Sequence, residues 1–236
     1  MLSVAGVDVF IQSSQILRGV SLEVGAREVV CLVGRNGSGK TTTLRTVMGY
    51  LSPRAGAVEF RGRPIHGRRT HEIARLGLGW APEDCGIFSD LTVAENIEIA
   101  TWTRPRGRAA AERVAQAYEV FPALRRYAAR RGPEMSGGER KMLSIARALA
   151  LDPEMLLLDE PFEGLSPAII PAVSAGIAAI TGLGRAILIA ESNIHHVPDY
   201  TTRLYVIERG EIIFGGRPDD AWRDPGVSRI IGGRSR

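Results

Sequence analysis

The feature that most constrains the fold is a glycine-rich segment, Gly34–Thr41, which reads Gly-Arg-Asn-Gly-Ser-Gly-Lys-Thr. It directly follows Glu28–Val33, a short apolar run rich in β-branched residues, and such a run predicts a strand buried on both faces. Leu44, Val47 and Met48 come next, at the spacing of one face of a helix. The sequence therefore predicts a strand, a tight loop and a helix in immediate succession.

This arrangement matches the P-loop pattern, in which a glycine is followed five residues later by glycine, lysine and threonine. The glycines let the backbone curl so that successive N–H groups point inward, and the helix start adds unpaired N–H groups and a positive dipole end. We expect Lys40 to reach the β and γ phosphates of a nucleotide and the Thr41 hydroxyl to bind Mg²⁺. A glycine-rich turn with a chance lysine is the alternative, but the chain has only two lysines, at positions 40 and 141. The predicted nucleotide contacts in this segment are Gly34, Arg35, Asn36, Gly37, Ser38, Gly39, Lys40, Thr41 and Thr42.

Two acidic residues, Asp159 and Glu160, follow another apolar run, Met155–Leu158. Parallel sheets present side chains to ligands at the carboxyl ends of their strands. We expect Asp159 to hold Mg²⁺ through water, and Glu160 to polarise the attacking water as a general base. The alternative is a pair of acids that only favours a helix start, but the upstream P-loop favours the catalytic interpretation.

Apolar runs alternate with helical patterns along the chain, which predicts an α/β fold with a mainly parallel sheet. We expect a single domain over residues 1–236. Its P-loop NTPase core takes in residues 1–83 and 135–236 with an antiparallel β subdomain, and an inserted α-helical subdomain covers residues 84–134. The predicted strands are Leu2–Phe10, Val20–Val24, Glu28–Val33, Ala57–Phe60, Leu78–Ala81, Met155–Leu158, Ala186–Ala190 and Leu204–Ile207, with a polar turn at Gln12–Gln15. The predicted helices follow Lys40 and Lys141 and cover Thr70–Leu76, Val93–Ala100, Arg108–Val120 and 168–181.

Composition excludes several classes of protein. Apolar residues make up 44% of the chain and charged residues 24%, which is usual for a folded soluble domain and unlike a disordered chain. Two cysteines are too few for a disulfide scaffold. The apolar segment Ala168–Ala190 is interrupted by proline, glycine and arginine, so no membrane span is expected. Met1–Ile11 lacks the basic start and cleavage site of a signal peptide.

Positive charge is concentrated in one part of the chain. The formal net charge is +4, yet residues 104–131 hold eight arginines and two glutamates, so the remainder is slightly acidic. The arginines are Arg104, Arg106, Arg108, Arg113, Arg125, Arg126, Arg130 and Arg131. A nucleic-acid surface is one interpretation, but a docking surface or a solvated helix face is favoured.

Ser136, Gly137, Gly138 and Glu139 precede a helical pattern and resemble the signature motif of ABC-type ATPases. With the P-loop and the segment Leu156–Pro161, the resemblance covers almost the whole chain. It implies that ATP and Mg²⁺ are the cofactors and that two ATPase subunits, of the same or different chains, form a head-to-tail dimer. Ser136, Gly137 and Gly138 of one subunit would then close on the γ-phosphate held by the other.

Within this superfamily, the chain resembles the ATP-binding subunits of branched-chain amino-acid importers. The similar segments are Gly34–Gly49, Gly79–Ala100, Leu158–Pro167 and Glu208–Gly216. The resemblance implies integral membrane permease subunits, a periplasmic solute-binding protein and a cytoplasmic location on the inner face of the membrane. Transported solutes of that family include branched-chain amino acids, amides and urea. The alternatives are a lipopolysaccharide-export ATPase, a subunit with little hydrolysis, and a soluble ABC ATPase acting on nucleic acid or ribosomes, although no nucleic-acid partner is expected.

Several positions depart from the family pattern. Glu83 stands where a glutamine is usual, and it is expected to hold a metal-bound water. Ser192 falls on the switch position, where histidine is usual, and a serine cannot carry its positive charge. Ser166 replaces an aspartate. Phe10 is the candidate to stack on adenine, with Ile11 as the alternative. His195 and His196 lie a helical turn beyond Ser192 and are not expected to replace it.

Overall fold

The computed structural model describes residues 1–103 and 108–231 and confirms the predicted α/β fold, with parallel strands, antiparallel strands and helices. The chain forms two compact units. Of the described residues, 1–73 and 186–231 build the first, and 74–103 and 108–185 build the second. Arg104 and Arg106 of the predicted basic block lie outside the described residues.

Every predicted strand and helix is present, with ends displaced by a few residues. The strands are β1 (Leu2–Ile11), β2 (Ser14–Val24), β3 (Val29–Val33), β4 (Ala55–Phe60), β5 (Arg63–Pro64), β6 (Leu78–Ala81), β7 (Met155–Asp159), β8 (Ala186–Glu191), β9 (Arg203–Glu208) and β10 (Glu211–Gly216). The helices are α1 (Lys40–Val47), α2 (Thr70–Leu76), α3 (Val93–Thr101), α4 (Ala110–Val120), α5 (Gly137–Ala150), α6 (Ile170–Gly182), α7 (Pro218–Arg223) and α8 (Pro225–Ile231). The sequence patterns did not indicate β5, β10, α7 or α8.

An antiparallel sheet in the first unit has the strand order β2-β1-β4-β5. β1 and β2 form a hairpin in which Ser14 pairs with Ile11 and Gln15 pairs with Phe10. The predicted polar turn is present but shorter than Gln12–Gln15, because only residues 12 and 13 form it. The first half of β2 has no apolar run, and main-chain pairing with β1 holds it in the sheet.

The first unit also contains a run of strands in the order β10-β9-β3-β8, in which β3 is parallel to both β8 and β9. All residues of β3 and β8 are buried. The register pairs Val33, at the end of β3, with Glu191, at the end of β8. The segments that follow these two strands therefore leave the sheet side by side, at the edge where parallel sheets bind ligands.

The second unit has β6 and β7 as a parallel pair, with α5 packed against α3, α4 and β6. The helical insert predicted over residues 84–134 lies within this unit. In the described part of that stretch, the regular structure is helical apart from one β-bridge between Thr92 and Arg131. Among the residues that the structure describes, no helix combines the length and the apolarity that a membrane span requires.

A charged cluster joins three segments of the second unit. Asp152 Oδ1 accepts hydrogen bonds from Arg108 Nη2 and Arg185 Nη2, each at 2.8 Å. Burial raises the pKa of Asp152, but the hydrogen bonds from Arg108 and the charges of both arginines outweigh burial, so its pKa lies below the usual value. The cluster ties the start of α4 to the segments before β7 and β8.

Candidate nucleotide-binding site

The loop between β3 and α1 has the curled backbone that a phosphate cradle needs. Gly37 has a φ of 79° and Gly39 has a φ of 115°, a region that residues with a Cβ atom seldom adopt. A Cβ on Gly39 would also lie only 2.8 Å from Leu17 Cδ2 in β2. At Gly34, a Cβ would collide with the Ile207 carbonyl oxygen of β9. The loop therefore keeps its shape by lying close to two neighbouring strands.

Lys40, the first residue of α1, is 4% exposed. Its ammonium donates hydrogen bonds to the Gly34 carbonyl at 2.8 Å, the Arg35 carbonyl at 3.2 Å and Ser192 Oγ at 2.9 Å. The charged end is thus held inside the loop that precedes the helix. This is the position from which a P-loop lysine reaches phosphate.

The other predicted phosphate contacts differ in how exposed they are to solvent. Arg35, Asn36 and Gly37 are exposed at the tip of the loop, whereas Ser38 is 5% exposed. The Ser38 carbonyl accepts a hydrogen bond from the Gly210 N–H at 2.9 Å, which anchors the loop to the turn after β9. The remaining two, Thr41 and Thr42, are half-buried in the first turn of α1.

Ser192 lies against the P-loop immediately after β8. Its hydroxyl accepts from Lys40 and donates to Asn36 Oδ1. Sequence reasoning assigned Ser192 to a switch position but did not predict either contact, because both depend on the pairing of β3 with β8. The His196 side chain contacts Glu191, the last residue of β8, with Nδ1 3.4 Å from Glu191 Oε2.

Asp159 and Glu160 lie at the end of β7 in the second unit and are 1% and 3% exposed. Glu160 has a φ of 48°, in the left-handed region that costs a residue with a side chain about 1–3 kcal/mol. Pro161 follows and disfavours the right-handed helical conformation at Glu160. A strained, buried carboxylate directly after a metal-binding candidate is typical of a catalytic position.

Ser136 begins α5 with a capping box. Its Oγ accepts from the Glu139 N–H at 3.3 Å, and its own N–H donates to Glu139 Oε2 at 2.7 Å. Partial burial raises the pKa of Glu139, but hydrogen bonds from Ser136 and Tyr127 outweigh it and leave the pKa below the usual value. Ser136 and Gly137 are exposed, so this helix start can meet a ligand from outside the subunit.

Glu83 is exposed and connects to α5 through its main chain. Lys141, which is 5% exposed, donates to the Glu83 carbonyl at 2.9 Å. Further along α5, Arg147 donates to the Gly86 carbonyl at 2.6 Å and the Cys85 carbonyl at 3.1 Å. The helix that begins at Ser136 therefore holds the Glu83 segment directly. The sequence did not predict this link.

Phe10 and Ile11 are consecutive residues of β1, so their side chains point to opposite faces of the sheet. The Arg54 guanidinium lies 4.9 Å from the centre of the Phe10 ring. Ile11 is 44% exposed and lies on the face of Val9. Val9 pairs with Leu17, the residue that borders Gly39. Alternation along β1 therefore puts Ile11, rather than Phe10, on the face shared by Val9 and Leu17, and the register of β1 with β2 shifts between Val9 and Phe10.

Residues 17–163 match the family model described as ABC transporter. The matched stretch is more than half of the chain and contains the P-loop, Glu83, Ser136 and the Asp159–Glu160 pair, whereas Phe10 and Ser192 lie outside it. The chain belongs to the ABC transporter family. It is an ATP-binding, ATP-hydrolysing subunit that couples energy to transport.

Two curated relatives are similar over nearly their whole length. The chain is 34% identical over 217 residues to LptB, the lipopolysaccharide export system ATP-binding protein of Acidithiobacillus ferridurans, covering 91% of this chain and 89% of that protein. It is 35% identical over 213 residues to BraG, the high-affinity branched-chain amino acid transport ATP-binding protein of Pseudomonas aeruginosa, covering 90% and 91%.

The fold is similar to solved structures of the same class. MJ1267, an ATP-binding cassette of an ABC transporter in its ADP conformation, superposes with a TM-score of 0.85 at 27% identity, covering 99% of each chain. A dimeric, post-hydrolysis structure of the ATP-binding cassette MJ0796 bound to ADP and Pi has a TM-score of 0.80 at 22% identity, covering 92% of this chain and 98% of that one.

Proposed function

We propose that Gly34–Thr42 binds the triphosphate of ATP, with Lys40 on the β and γ phosphates. The observation that carries the proposal is the buried Lys40 ammonium, held inside a loop whose glycines take up positive φ. Such a loop supplies several N–H donors and one fixed positive charge, which together attract the negatively charged phosphates. Loss of ATP binding in a folded Lys40→Met variant would support this assignment, and unchanged binding would contradict it.

Glu160 is proposed as the general base. The Glu160 carboxylate is buried, so bulk water is excluded from it, and the strained backbone at Glu160 restricts the orientation of the side chain. A carboxylate there can accept a proton from the water that attacks the γ-phosphate. Ser192 is proposed to occupy the switch position, where a serine cannot supply the positive charge of a histidine.

The residues fit a magnesium ion held largely by phosphate and water. Thr41, Asp159 and Glu83 are the proposed ligands, directly or through water. Among the described residues, no three acidic, histidine or cysteine side chains gather into a metal site. Mg²⁺ often takes only one or two carboxylates when phosphates complete its shell, so the set is sufficient. When bound, the ion neutralises charge on the β and γ phosphates.

A second ATPase subunit is proposed to complete the site with Ser136, Gly137 and Gly138. The exposed start of α5 supports this, as does the dimeric MJ0796 cassette bound to ADP and Pi. The Ser136 hydroxyl accepts the capping hydrogen bond and also bonds the Glu139 carboxylate, so it would exchange the second partner to donate to phosphate. Light scattering of Glu160→Gln with ATP and magnesium should show a dimer. Ser136→Arg in the same background should abolish it, and a dimer that persists would contradict this role for Ser136.

We propose that the transporter imports branched-chain amino acids or related amides or urea. The 35% identity to BraG over 90% of the chain supports this choice. Cells that lack the chain should lose energy-dependent leucine, valine or urea uptake. Wild type should restore the uptake and Glu160→Gln should not. Normal uptake of these solutes by the deficient cells would rule the assignment out.

Lipopolysaccharide export is the second candidate, because the identity to LptB is nearly as high. The same deficient cells distinguish the two functions. Loss of lipopolysaccharide from the outer membrane, with normal solute uptake, would support export.

Integral membrane permease subunits are the proposed docking partners, on the cytoplasmic face, with a periplasmic solute-binding protein acting through them in the import case. Phe88 is 50% exposed, and Arg147 of α5 lies over its ring at 5.3 Å. Arg147 and Lys141 thus connect the segment around Phe88 to the helix that begins at Ser136. A helical subdomain over residues 84–134 is proposed to carry this coupling. Phe88→Asp should lower ATPase stimulation by reconstituted permease, with Ile213→Asp, at an exposed position of β10 in the first unit, as the control.

A further inference from the structure

Ser192 connects the segment after β8 to the P-loop through both ends of its hydroxyl group. The oxygen accepts a hydrogen bond from Lys40 Nζ at 2.9 Å, and the proton is donated to Asn36 Oδ1. Two main-chain features hold the contact in place. Val33 pairs with Glu191 at the ends of β3 and β8, and the Gly34 N–H donates to the Glu191 carbonyl at 3.2 Å. The parallel sheet therefore fixes the serine beside the lysine.

The hydrogen-bonding capacity of the Lys40 ammonium is limited. A lysine ammonium has three N–H donors. Lys40 directs donors to the Gly34 carbonyl, the Arg35 carbonyl and Ser192 Oγ. A phosphate oxygen that binds to Lys40 must therefore compete with protein acceptors, including these three. Two of them belong to the loop itself, whereas Ser192 is supplied by another strand.

We propose that Ser192 competes with nucleotide phosphate for a Lys40 N–H and in this way weakens the retention of ADP. Ser192 is then a positioning residue that acts through Lys40 and promotes product release. The inference rests on the proposed binding of the triphosphate by the P-loop. In ATP, oxygens of the β and γ phosphates can both accept hydrogen bonds from the Lys40 ammonium, whereas ADP has only the β-phosphate there. Losing one N–H donor to Ser192 therefore removes a larger share of the contact with ADP.

The test is the affinity of Ser192→Ala for ADP in the presence of magnesium, measured by isothermal titration calorimetry. In this variant the Lys40 ammonium has one protein acceptor fewer, so phosphate competes with fewer groups for its N–H donors. The ADP Kd is expected to fall about tenfold, which corresponds to ~1.4 kcal/mol. The dissociation rate of a fluorescent ADP analogue, followed by stopped flow, should fall by a similar factor. A substitution that merely damaged the site would raise both quantities.

Two variants serve as controls. Ser192→Thr keeps the hydroxyl group and should keep the wild-type ADP affinity. Ser21→Ala removes an exposed hydroxyl of β2 that accepts from the Gly6 N–H at 2.9 Å, and it should leave ADP binding unchanged.

The results separate this inference from the proposed phosphate site. An unchanged or higher ADP Kd in Ser192→Ala overturns the inference, and so does a Ser192→Thr variant that binds as tightly as Ser192→Ala. If Lys40→Met removes ADP binding while Ser192→Ala has no effect, only the role of Ser192 fails. If wild type and Lys40→Met bind ADP equally, the phosphate site itself fails.

Discussion

Replacing Lys40 with methionine removes the ammonium but keeps an unbranched side chain of similar length. Lys40 is 4% exposed, so methionine preserves most of the packing that alanine would lose. The lysine is expected to donate to the β and the γ phosphate, and a hydrogen bond with a charged partner contributes about 1.5–3 kcal/mol. Two such bonds amount to about 3–6 kcal/mol, so the ATP Kd should rise by about two to four powers of ten.

The same substitution also affects stability, and the assay has to separate the two effects. The buried Gly34 carbonyl loses the donor that Lys40 supplies at 2.8 Å, at a cost of about 1–3 kcal/mol. Circular dichroism at the titration temperature checks that the variant is folded before calorimetry with ATP. Lys141→Met is the matched control, because Lys141 is also buried and donates to the Glu83 carbonyl. A folded Lys40→Met that binds ATP within about threefold of wild type would refute the reasoning.

The remaining predictions concern catalysis, base binding and acid stability. Glu160→Gln should keep ATP affinity and slow turnover by about 10²–10⁴-fold, measured as phosphate release, because glutamine cannot accept a proton; unchanged turnover would remove Glu160 from its role. Ile11→Ala should weaken ATP binding by about tenfold, since Ile11 shares the face of Leu17, which borders the P-loop, whereas Phe10→Ala should not; the reverse order of ATP Kd values would favour Phe10 as the adenine contact. Asp152→Asn should lower the free energy of unfolding at pH 7. Because the folded-state pKa of Asp152 is lowered, its stabilisation is fully present above the ordinary value of 3.8 and is lost as the pH falls through the folded-state pKa. In urea titrations the difference between wild type and variant should therefore shrink below pH 4, and a difference that stays constant down to pH 3 would contradict it.

Strands with continuous apolar runs were predicted well, because burial on both faces leaves a local pattern in the sequence. β6 and α2 were predicted with their observed bounds. The first half of β2 and all of β10 were missed, since their apolar segments, Ile16–Leu17 and Ile212–Phe214, are too short to indicate a strand by themselves. Such strands are held by pairing with β1 and β9, and no short window of sequence contains that pairing.

Some features of the candidate site were likewise predicted from the sequence, and others were not. Gly34–Thr41, the Asp159–Glu160 pair and Ser136 were identified from contiguous residues, because phosphate cradles and helix starts need particular residue types at fixed local spacing. The positive φ of Glu160 and the link from Lys141 to Glu83 were not predicted. The first depends on how β7 ends, and the second joins positions 58 residues apart.

The sequence by itself determined that the chain contains a P-loop after a buried strand, since glycine, lysine and threonine at that spacing serve phosphate binding through local geometry. Only the tertiary structure decided which residues surround the lysine. Ser192 is 152 residues from Lys40 and contacts it because β8 pairs with β3 in a register that places their ends together. A hydrogen bond requires two atoms within about 3 Å, and for residues so far apart in the chain only the packed sheet sets that distance.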